Sequence, residues 1–193
     1  MIVLFGGSYN PPHIGHRIIA EYAYDYLKPD KFLIIPAVIP PHKLKNNEIA
    51  DFKIRFSWCE KTFPKERFIV SDIEKKLPTP SYTHQTVSYL KEKYNDEIFL
   101  LIGEDSLINF HTWYKWKDLL KKVTLVVYKR YSEKLKFDNY NLPHIFLNSP
   151  LIEISATEIR DRIKKSLSIY GMVDDKISNE VIKYYKKYYK NNN

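Results

Sequence analysis

The sequence is poor in the features that would place it outside the ordinary globular class. It has a single cysteine, Cys59, in 193 residues, which excludes an intramolecular disulfide framework and a cysteine-based zinc cluster. No apolar run approaches the roughly 20 residues that a membrane-spanning helix needs. The first residues, MIVLFGG, are too short and uncharged for a secretory signal peptide. We therefore expect a cytoplasmic protein with no membrane partner.

Long repeats and flexible linkers are also missing. No segment recurs with a period of about 20 to 50 residues, and no stretch rich in Gly and Ser divides the chain. Hydrophobic residues make up 44% and charged residues 28% of the sequence, close to the values of globular proteins that bury a core. We therefore expect a single domain over residues 1–190, with helices at about 155–190 packed against it and a frayed tail at 191–193.

The charge balance raises the alternative of a nucleic-acid-binding module. The formal net charge is +8, and the segment KYYKKYYK at 183–190 interleaves lysines with tyrosines, as single-stranded nucleic acid binding would require. However, 25 of the 31 basic residues are lysines, a bias that an AT-rich coding sequence also produces. We favour a docked terminal helix and no nucleic-acid partner. That helix would bury Ile177, Val181, Tyr184, Tyr185 and Tyr188.

Short apolar runs alternate along the chain with stretches of helical periodicity. The predicted strands cover 2–5, 32–38, 67–73, 98–103, 123–128 and 144–148. The predicted helices cover 14–27, 51–62, 83–94, 155–165 and 174–189, with a broken helix at 105–120. Buried strands followed by helices indicate the α/β class, a Rossmann-like doubly wound parallel sheet flanked by helices. Such sheets bind their ligands at the carboxyl ends of the strands.

Two glycines and two histidines follow the first predicted strand, in the segment GGSYNPPHIGH at 6–16. Gly6 and Gly7 allow a sharp turn that exposes backbone N–H groups. His13 and His16 lie one turn apart at the start of the next helix, where unpaired donors favour an anion. The segment matches neither the phosphate loop G-x-x-x-x-G-K-[ST] nor the dinucleotide fingerprint G-x-G-x-x-G. No nearby Asp, Glu or His completes a metal-ligand set, so the histidines predict a phosphate site rather than a metal site.

This segment resembles the signature of the nucleotidyltransferases that carry an H-x-G-H motif. Within that superfamily the chain is most similar to the bacterial nicotinate-nucleotide adenylyltransferases, and the resemblance extends through nearly the whole sequence. It implies in-line transfer of the adenylyl group of ATP to nicotinate mononucleotide, without a covalent enzyme intermediate. It also implies Mg²⁺ that enters with ATP and is held mainly by its phosphates. ATP would contact Gly6, Gly7, Ser8, His13 and His16, and the two histidines would be catalytic.

Three further segments resemble the acceptor site of that family. PPHK at 40–43 matches a loop whose lysine, Lys43, would contact phosphate and act in catalysis. SYT at 81–83 opens a predicted helix, and the resemblance implies that backbone donors at this helix start receive the pyridine carboxylate. Trp113 falls at the position of the tryptophan that stacks on the nicotinate ring, and Trp116 is the competing candidate. The implied acceptor contacts are Asn10, Lys43, Ser81, Tyr82, Thr83, Asp105 and Trp113.

Two more segments resemble the part of the family site that binds ATP. GEDSL at 103–107 matches a G-x-D-x-L motif, whose aspartate would contact ribose or organise the phosphates. ISATEIR at 154–160 resembles I-S-S-T-x-I-R, whose arginine, Arg160, would brace the triphosphate and act in catalysis. The implied ATP contacts here are Gly103, Asp105, Ser155, Thr157 and Arg160. Ser155 also begins an S-x-x-E capping box, which gives it a sufficient structural role.

The sequence departs from the family pattern at a few positions. Asn10 stands where Asp is frequent, Ala156 where Ser is frequent, and Trp58 where Met is more usual. Nicotinamide mononucleotide therefore stays open as an alternative acceptor. The SYT segment and the tryptophan argue against 4′-phosphopantetheine, the remaining alternative, because that acceptor carries no pyridine carboxylate. The sequence leaves a monomer and a homodimer equally open.

Overall fold

The computed structural model describes residues 1–40, 48–129 and 142–192. Within this part of the chain, strands and helices alternate almost as the periodicity predicts. The strands are β1 (Ile2–Gly7), β2 (Lys31–Pro36), β3 (Ile69–Val70), β4 (Ile98–Gly103), β5 (Thr124–Tyr128) and β6 (His144–Leu147). The helices are α1 (Ile14–Leu27), α2 (Phe52–Thr62), α3 (Thr83–Tyr94), α4 (Glu104–Ile108), α5 (Trp116–Lys122), α6 (Ala156–Lys164) and α7 (Asp175–Asn192), with 3-10 turns at Ile73–Lys76 and Phe110–Thr112.

The strands form one parallel sheet in the order β3-β2-β1-β4-β5-β6, which confirms the prediction of a Rossmann-like, doubly wound α/β fold. Strand β1 is central, since Ile2 pairs with Lys31 of β2 on one side and with Ile98 of β4 on the other. The strand order reverses between β1 and β4. The connections that follow these two strands therefore diverge and leave a crevice at their carboxyl ends.

Helices cover both faces of the sheet, because the central strands carry apolar side chains on both faces. On one face, Leu4 of β1 belongs to the same buried cluster as Leu90 of α3. On the other face, Phe5 of β1 belongs to a cluster with Ala23 of α1. Neighbouring residues of β1 thus point into separate cores, which explains why this strand shows no alternation of polar and apolar residues.

The C-terminal helices and α2 form a third apolar cluster. Trp58 of α2 is 1% exposed, and its ring centroid lies 5.7 Å from that of Tyr184 in α7. Ile177, Val181 and Tyr185 of α7 are fully buried in this cluster, so the prediction of a docked terminal helix is confirmed. Tyr184 and Tyr188, which the sequence also assigned to the buried face, are partly buried.

Helix α7 continues through Asn192, two residues into the segment that the sequence predicted to fray. The side chain of Asn192 reaches back along the helix, where its Nδ2 donates to the carbonyl of Tyr188 at 2.8 Å. The helix is amphipathic and rich in lysine. No helix in the described ranges is long and apolar enough to cross a lipid bilayer.

Two elements differ from the periodicity-based expectation. Strand β3 spans only Ile69–Val70 of the predicted 67–73, because β3 is an edge strand that pairs only with β2, at Leu33 and Ile34. The predicted broken helix at 105–120 resolves into α4, a 3-10 turn and α5. Lys115, which precedes α5, has a left-handed backbone with a φ of 50°, and a continuous right-handed helix cannot contain that conformation.

Candidate active site

A cavity of about 300 Å³ opens at the carboxyl ends of β1 and β4, where the strand order reverses. Its walls come from the segment after β2, the first turn of α3 and the segment that precedes α5. This is the place at which a doubly wound sheet binds its ligands. The predicted site residues that line the cavity are Gly6, Gly7, Ser8, Ser81, Tyr82, Thr83, Gly103 and Trp113.

The two motif histidines stack on each other at the start of α1. Their ring centroids are 3.6 Å apart, and Nδ1 of His16 accepts a hydrogen bond of 3.2 Å from the backbone N–H of His13. Because Nδ1 accepts, the proton of a neutral His16 ring lies on Nε2, which makes that atom a donor. The His16 ring also lies 6.1 Å from the ring of Phe5, a residue that lines the cavity. Both imidazoles therefore stand beside the cavity rather than in its lining.

Gly15 lies between the histidines at a position where a side chain would be tightly packed. A Cβ atom at this position would lie 3.1 Å from Nδ1 of His13 and 3.1 Å from Cγ2 of Ile152. The first N–H of α1, that of Ile14, donates to the carbonyl of Met172 at 2.9 Å. The N–H of Ile14 is therefore not one of the unpaired donors expected at this helix start, because the segment between α6 and α7 folds over it.

Buried side chains hold the loop between β1 and α1. Tyr9 is 1% exposed and has a left-handed backbone with a φ of 45°, a strained conformation for a tyrosine that the surrounding packing must maintain. Oδ1 of Asn10 accepts from the N–H of Ala50 at 2.9 Å and from the hydroxyl of Tyr185 at 2.7 Å. Nδ2 of Asn10 donates to the carbonyl of Glu48 at 3.0 Å. Asn10 thus links the loop to α7 and does not line the cavity, and its predicted contact with the acceptor stays a prediction.

Arg160 of α6 lies against the same loop and is 4% exposed. Its Nη1 donates to the carbonyl of Asn10 at 2.8 Å, and its Nε lies 3.4 Å from the carboxylate of Glu48. Its Nη2 donates to the hydroxyl of Thr157 at 3.3 Å. The guanidinium is therefore already bonded to protein acceptors, outside the cavity lining. Its predicted contact with the triphosphate, like that of Thr157, stays a prediction.

The structure locates two more of the predicted residues and leaves one undescribed. Ser155 precedes α6, and its Oγ accepts a hydrogen bond of 3.1 Å from the N–H of Glu158, which confirms its capping role. Asp105 lies in the first turn of α4, directly after β4, but does not line the cavity. Lys43 and its neighbours at 41–47 lie outside the described residues. The predicted roles of these residues in binding nucleotides stay predictions.

A buried arginine that the sequence analysis did not single out joins three segments around the cavity. Arg55 of α2 is 1% exposed. It donates to the backbone carbonyls of Ser8, Val38 and Ala50, at 2.7, 3.2 and 2.7 Å. Burial lowers the pKa of its guanidinium, and these carbonyls compensate its loss of water. The sequence indicates the burial of Arg55 in one way only. Arg55 follows Phe52 by one helical turn, on a helix face that is otherwise apolar.

A second buried network fixes the wall between the segment after β2 and α3. Oγ of Ser81 accepts hydrogen bonds from the N–H groups of Val38 and Ile39, at 3.0 and 3.2 Å. The carboxylate of Glu74 accepts from the N–H of Val38 at 3.2 Å and from the hydroxyl of Thr86 at 3.0 Å. Burial raises the pKa of Glu74, and the hydrogen bonds that it accepts oppose that rise. Ser81 therefore braces the wall as well as lining the cavity.

The first turn of α3 lines the cavity with Tyr82, Thr83 and His84. The N–H of Gln85 donates to the carbonyl of Tyr82 at 2.9 Å, so the N–H groups of Thr83 and His84 precede the first intrahelical hydrogen bond. Donors at such a position, together with the helix dipole, favour an anion. The resemblance assigns the pyridine carboxylate to backbone donors of the segment 81–83 at this helix start.

Trp113 and Trp116 occupy different environments. Trp113 lines the cavity, and its ring lies 5.1 Å from that of Phe110 at an interplanar angle of 31°. Trp116 begins α5 and does not line the cavity. The geometry therefore favours Trp113 over Trp116 as the residue that contacts a flat ring in the cavity.

Comparison with known proteins places this architecture among the nucleotidyltransferases. The family model described as cytidylyltransferase-like matches residues 4–162. A protein of Pseudothermotoga lettingae is 44% identical, and the match covers 95% of this chain and 96% of that protein. A protein of Thermotoga maritima is 39% identical over 95% of this chain and 92% of its own length. Both relatives carry the name probable nicotinate-nucleotide adenylyltransferase.

Solved structures share the fold at low sequence identity. The nicotinic acid mononucleotide adenylyltransferase of Plasmodium falciparum complexed with NaAD matches 96% of this chain and 97% of its own, with a TM-score of 0.77 and 16% identity. The same protein complexed with APC gives a TM-score of 0.76 over 96% of each chain, also at 16% identity. At this identity the similarity establishes the fold.

Proposed function

Because the chain belongs to the nicotinate-nucleotide adenylyltransferases of the cytidylyltransferase-like family, we propose that it transfers the adenylyl group of ATP to nicotinate mononucleotide in NAD biosynthesis. The products are nicotinate adenine dinucleotide and pyrophosphate. The observation that carries the proposal is the cavity at the strand ends. It brings the β1 glycines, the first turn of α3 and Trp113 to one place, as a reaction between a nucleoside triphosphate and a pyridine nucleotide requires.

The reaction needs no nucleophile from the protein, because both reactants carry phosphates. An oxygen of the 5′-phosphate of nicotinate mononucleotide attacks the α-phosphorus of ATP in line. The bond from that phosphorus to the bridging oxygen then breaks, and pyrophosphate leaves with the electron pair. The protein supplies alignment and compensation of the developing charge. We assign that compensation to His13 and His16, with Lys43 and Arg160 as the further cations.

The acceptor is proposed to bind along the α3 wall. We assign the N–H groups of Thr83 and His84 to the pyridine carboxylate and the flat apolar face of Trp113 to the ring, since all three residues line the cavity. The network of Ser81 with the N–H groups of Val38 and Ile39 supports this assignment, since it holds the wall in place before the acceptor arrives. A preorganised wall lowers the entropic cost of binding.

Mg²⁺ is proposed to enter with ATP and to neutralise its phosphate oxygens. In the ranges 1–40, 48–129 and 142–192, no group of three or more His, Cys, Asp or Glu side chains could hold a metal ion. The described residues are therefore compatible with a Mg²⁺ ion whose ligands are mainly phosphate oxygens of ATP, while the protein contacts the phosphates.

The test is pyrophosphate release with ATP and Mg²⁺, measured with nicotinate mononucleotide, nicotinamide mononucleotide and 4′-phosphopantetheine in parallel. We expect the highest kcat/KM with the nicotinate compound. A preference for the amide would keep the chemistry and overturn the assignment of the α3 wall. A preference for 4′-phosphopantetheine, or no release with any of the three, would overturn the proposed function.

A further inference from the structure

Resting on this proposed function, we propose that the pair formed by His84 of α3 and Asp118 of α5 is a specificity determinant that favours an acceptor with a ring carboxylate over one with a carboxamide. His84 is the second residue of α3, is 9% exposed and lines the cavity. Its Nε2 lies 2.6 Å from Oδ2 of Asp118. The pair therefore links the start of α3, where the carboxylate is proposed to bind, to α5 on the neighbouring wall.

The charge of Asp118 fixes the proton of the histidine. Hydrogen bonds from Lys122 and then from His84 lower the pKa of Asp118 to about 2, so its carboxylate is ionised at neutral pH. An ionised carboxylate only accepts hydrogen bonds, which requires Nε2 of His84 to carry a proton and to donate. The imidazole is thus held in one tautomer and one orientation against the cavity wall.

The pair also keeps the negative charge of Asp118 from opposing an anionic ligand. Asp118 has two cationic or donor partners, His84 at 2.6 Å and Lys122 at 2.8 Å. Loss of the His84 partner would leave this charge less compensated, near the end of α3 whose dipole attracts a carboxylate. That change penalises a carboxylate acceptor and leaves a carboxamide acceptor nearly unaffected, because only the first carries a charge at the ring substituent.

The same histidine helps to position the segment that carries Trp113. The ring of Tyr114 stacks on Tyr82 with centroids 4.6 Å apart and meets the ring of His84 edge-on at 5.8 Å. Both Tyr82 and Tyr114 line the cavity. The first turn of α3 and the segment before α5 are therefore joined by ring contacts as well as by the charge pair, on the wall along which the acceptor is proposed to bind.

The experiment measures the ratio of kcat/KM for nicotinate mononucleotide to kcat/KM for nicotinamide mononucleotide. This ratio cancels losses of folding or alignment, which affect both acceptors alike. His84→Phe removes the donor to Asp118 and keeps a ring, and we expect it to lower the ratio about tenfold, because the less compensated charge of Asp118 then opposes only the carboxylate acceptor. His84→Ala adds no bulk and should lower the ratio by the same factor, which keeps the test valid if the phenylalanine variant folds poorly.

Two further variants complete the design. His84→Gln restores an N–H donor of similar reach, and its ratio should stay within about twofold of the wild type. His111→Phe makes the same change at an exposed histidine that does not line the cavity, and its ratio should match the wild type. An unchanged ratio in His84→Phe and His84→Ala, or a fall in His84→Gln as large as theirs, overturns the proposal.

The same experiment distinguishes failure of the proposed function from failure of the role assigned to the His84–Asp118 pair. A wild-type protein that adenylates neither acceptor overturns the proposed function, and this specificity assignment with it. A wild-type protein that adenylates nicotinate mononucleotide, with variants of unchanged ratio, keeps the proposed function and overturns the role of the His84–Asp118 pair alone.

Discussion

The loop between β1 and α1 and the wall formed by α3 and α5 border the same cavity but are stabilised differently. The loop is held from inside, by Arg55 and Arg160, which donate to backbone carbonyls and are almost completely buried. The wall combines the buried network of Ser81, Glu74 and Thr86 with partly exposed contacts, namely the half-exposed Asp118 with its partners and the stacked rings of Tyr82 and Tyr114. Buried networks resist rearrangement, whereas exposed charge pairs contribute little to stability. We therefore expect the buried arginines of the loop to contribute more to the stability of the fold than the half-exposed Asp118 and its partners.

The largest expected effect comes from removing the buried arginine. Arg55→Met leaves the carbonyls of Ser8, Val38 and Ala50 without their donor, and we expect the free energy of unfolding to fall by about 3 kcal/mol. The matched variant on the wall is Lys122→Met, which removes a cation that bonds to Asp118 and Ser88. Its expected effect is below about 1 kcal/mol. Urea unfolding of both variants measures these two decreases in the free energy of unfolding. Equal decreases would contradict the prediction.

The second prediction concerns the chemistry of the histidines at the start of α1. His16→Ala should lower turnover by about 100-fold, the usual effect of removing one donor to a developing charge, while the midpoint of thermal unfolding changes little. The control is His111→Ala, an exposed histidine after α4 that does not line the cavity. Turnover of His16→Ala within a few fold of the wild type would remove this histidine from the catalytic role.

The third prediction tests how tightly the loop side is packed. Gly15→Ala would place a Cβ atom 3.1 Å from His13 and 3.1 Å from Ile152, so both neighbours must shift by a few tenths of an ångström, at a cost of about 1 kcal/mol. If His13 moves, turnover falls together with stability. Adding Ile152→Ala relieves only the second contact, and it should restore part of the stability but little of the turnover. Full recovery of turnover in the double variant would show that His13 had kept its position.

The smallest expected effect is a pH dependence on the wall. The pKa of Asp118 is lowered from 3.8 to about 2 in the folded protein, mainly by Lys122 and then by His84. Its contribution to stability is therefore present above pH 3.8 and is lost as the pH falls towards 2. Urea unfolding should show a small advantage of the wild type over Asp118→Asn at pH 5 that shrinks below pH 4. The advantage should be smaller in a Lys122→Met background, and an advantage that grows on acidification would be inconsistent with this linkage.

The sequence predicted the elements of the fold well because their signals are local. Apolar runs marked all six strands, and helical periodicity marked α1, α2 and α3 almost to the residue. It missed the extent of β3 and the division of α4 from α5, since an edge position and a left-handed residue at 115 depend on neighbours and backbone geometry rather than on periodicity. The motif at 6–16 could be located because it follows a strand, and strand ends are where α/β sheets bind ligands.

The α/β class, the order of strands and helices along the chain and the family follow from local patterns and motifs, as do the cavity-lining segments at 6–8 and 81–83. The tertiary structure decided which side chains meet there. Arg55 reaches the carbonyl of Ser8 across 47 residues, and His84 reaches Asp118 across 34. A backbone carbonyl has the same chemistry at every residue, and a charge pair between two helices leaves no periodic pattern. Such contacts are fixed only when the sheet brings distant segments together, which is why no reading of the residues in chain order could assign them.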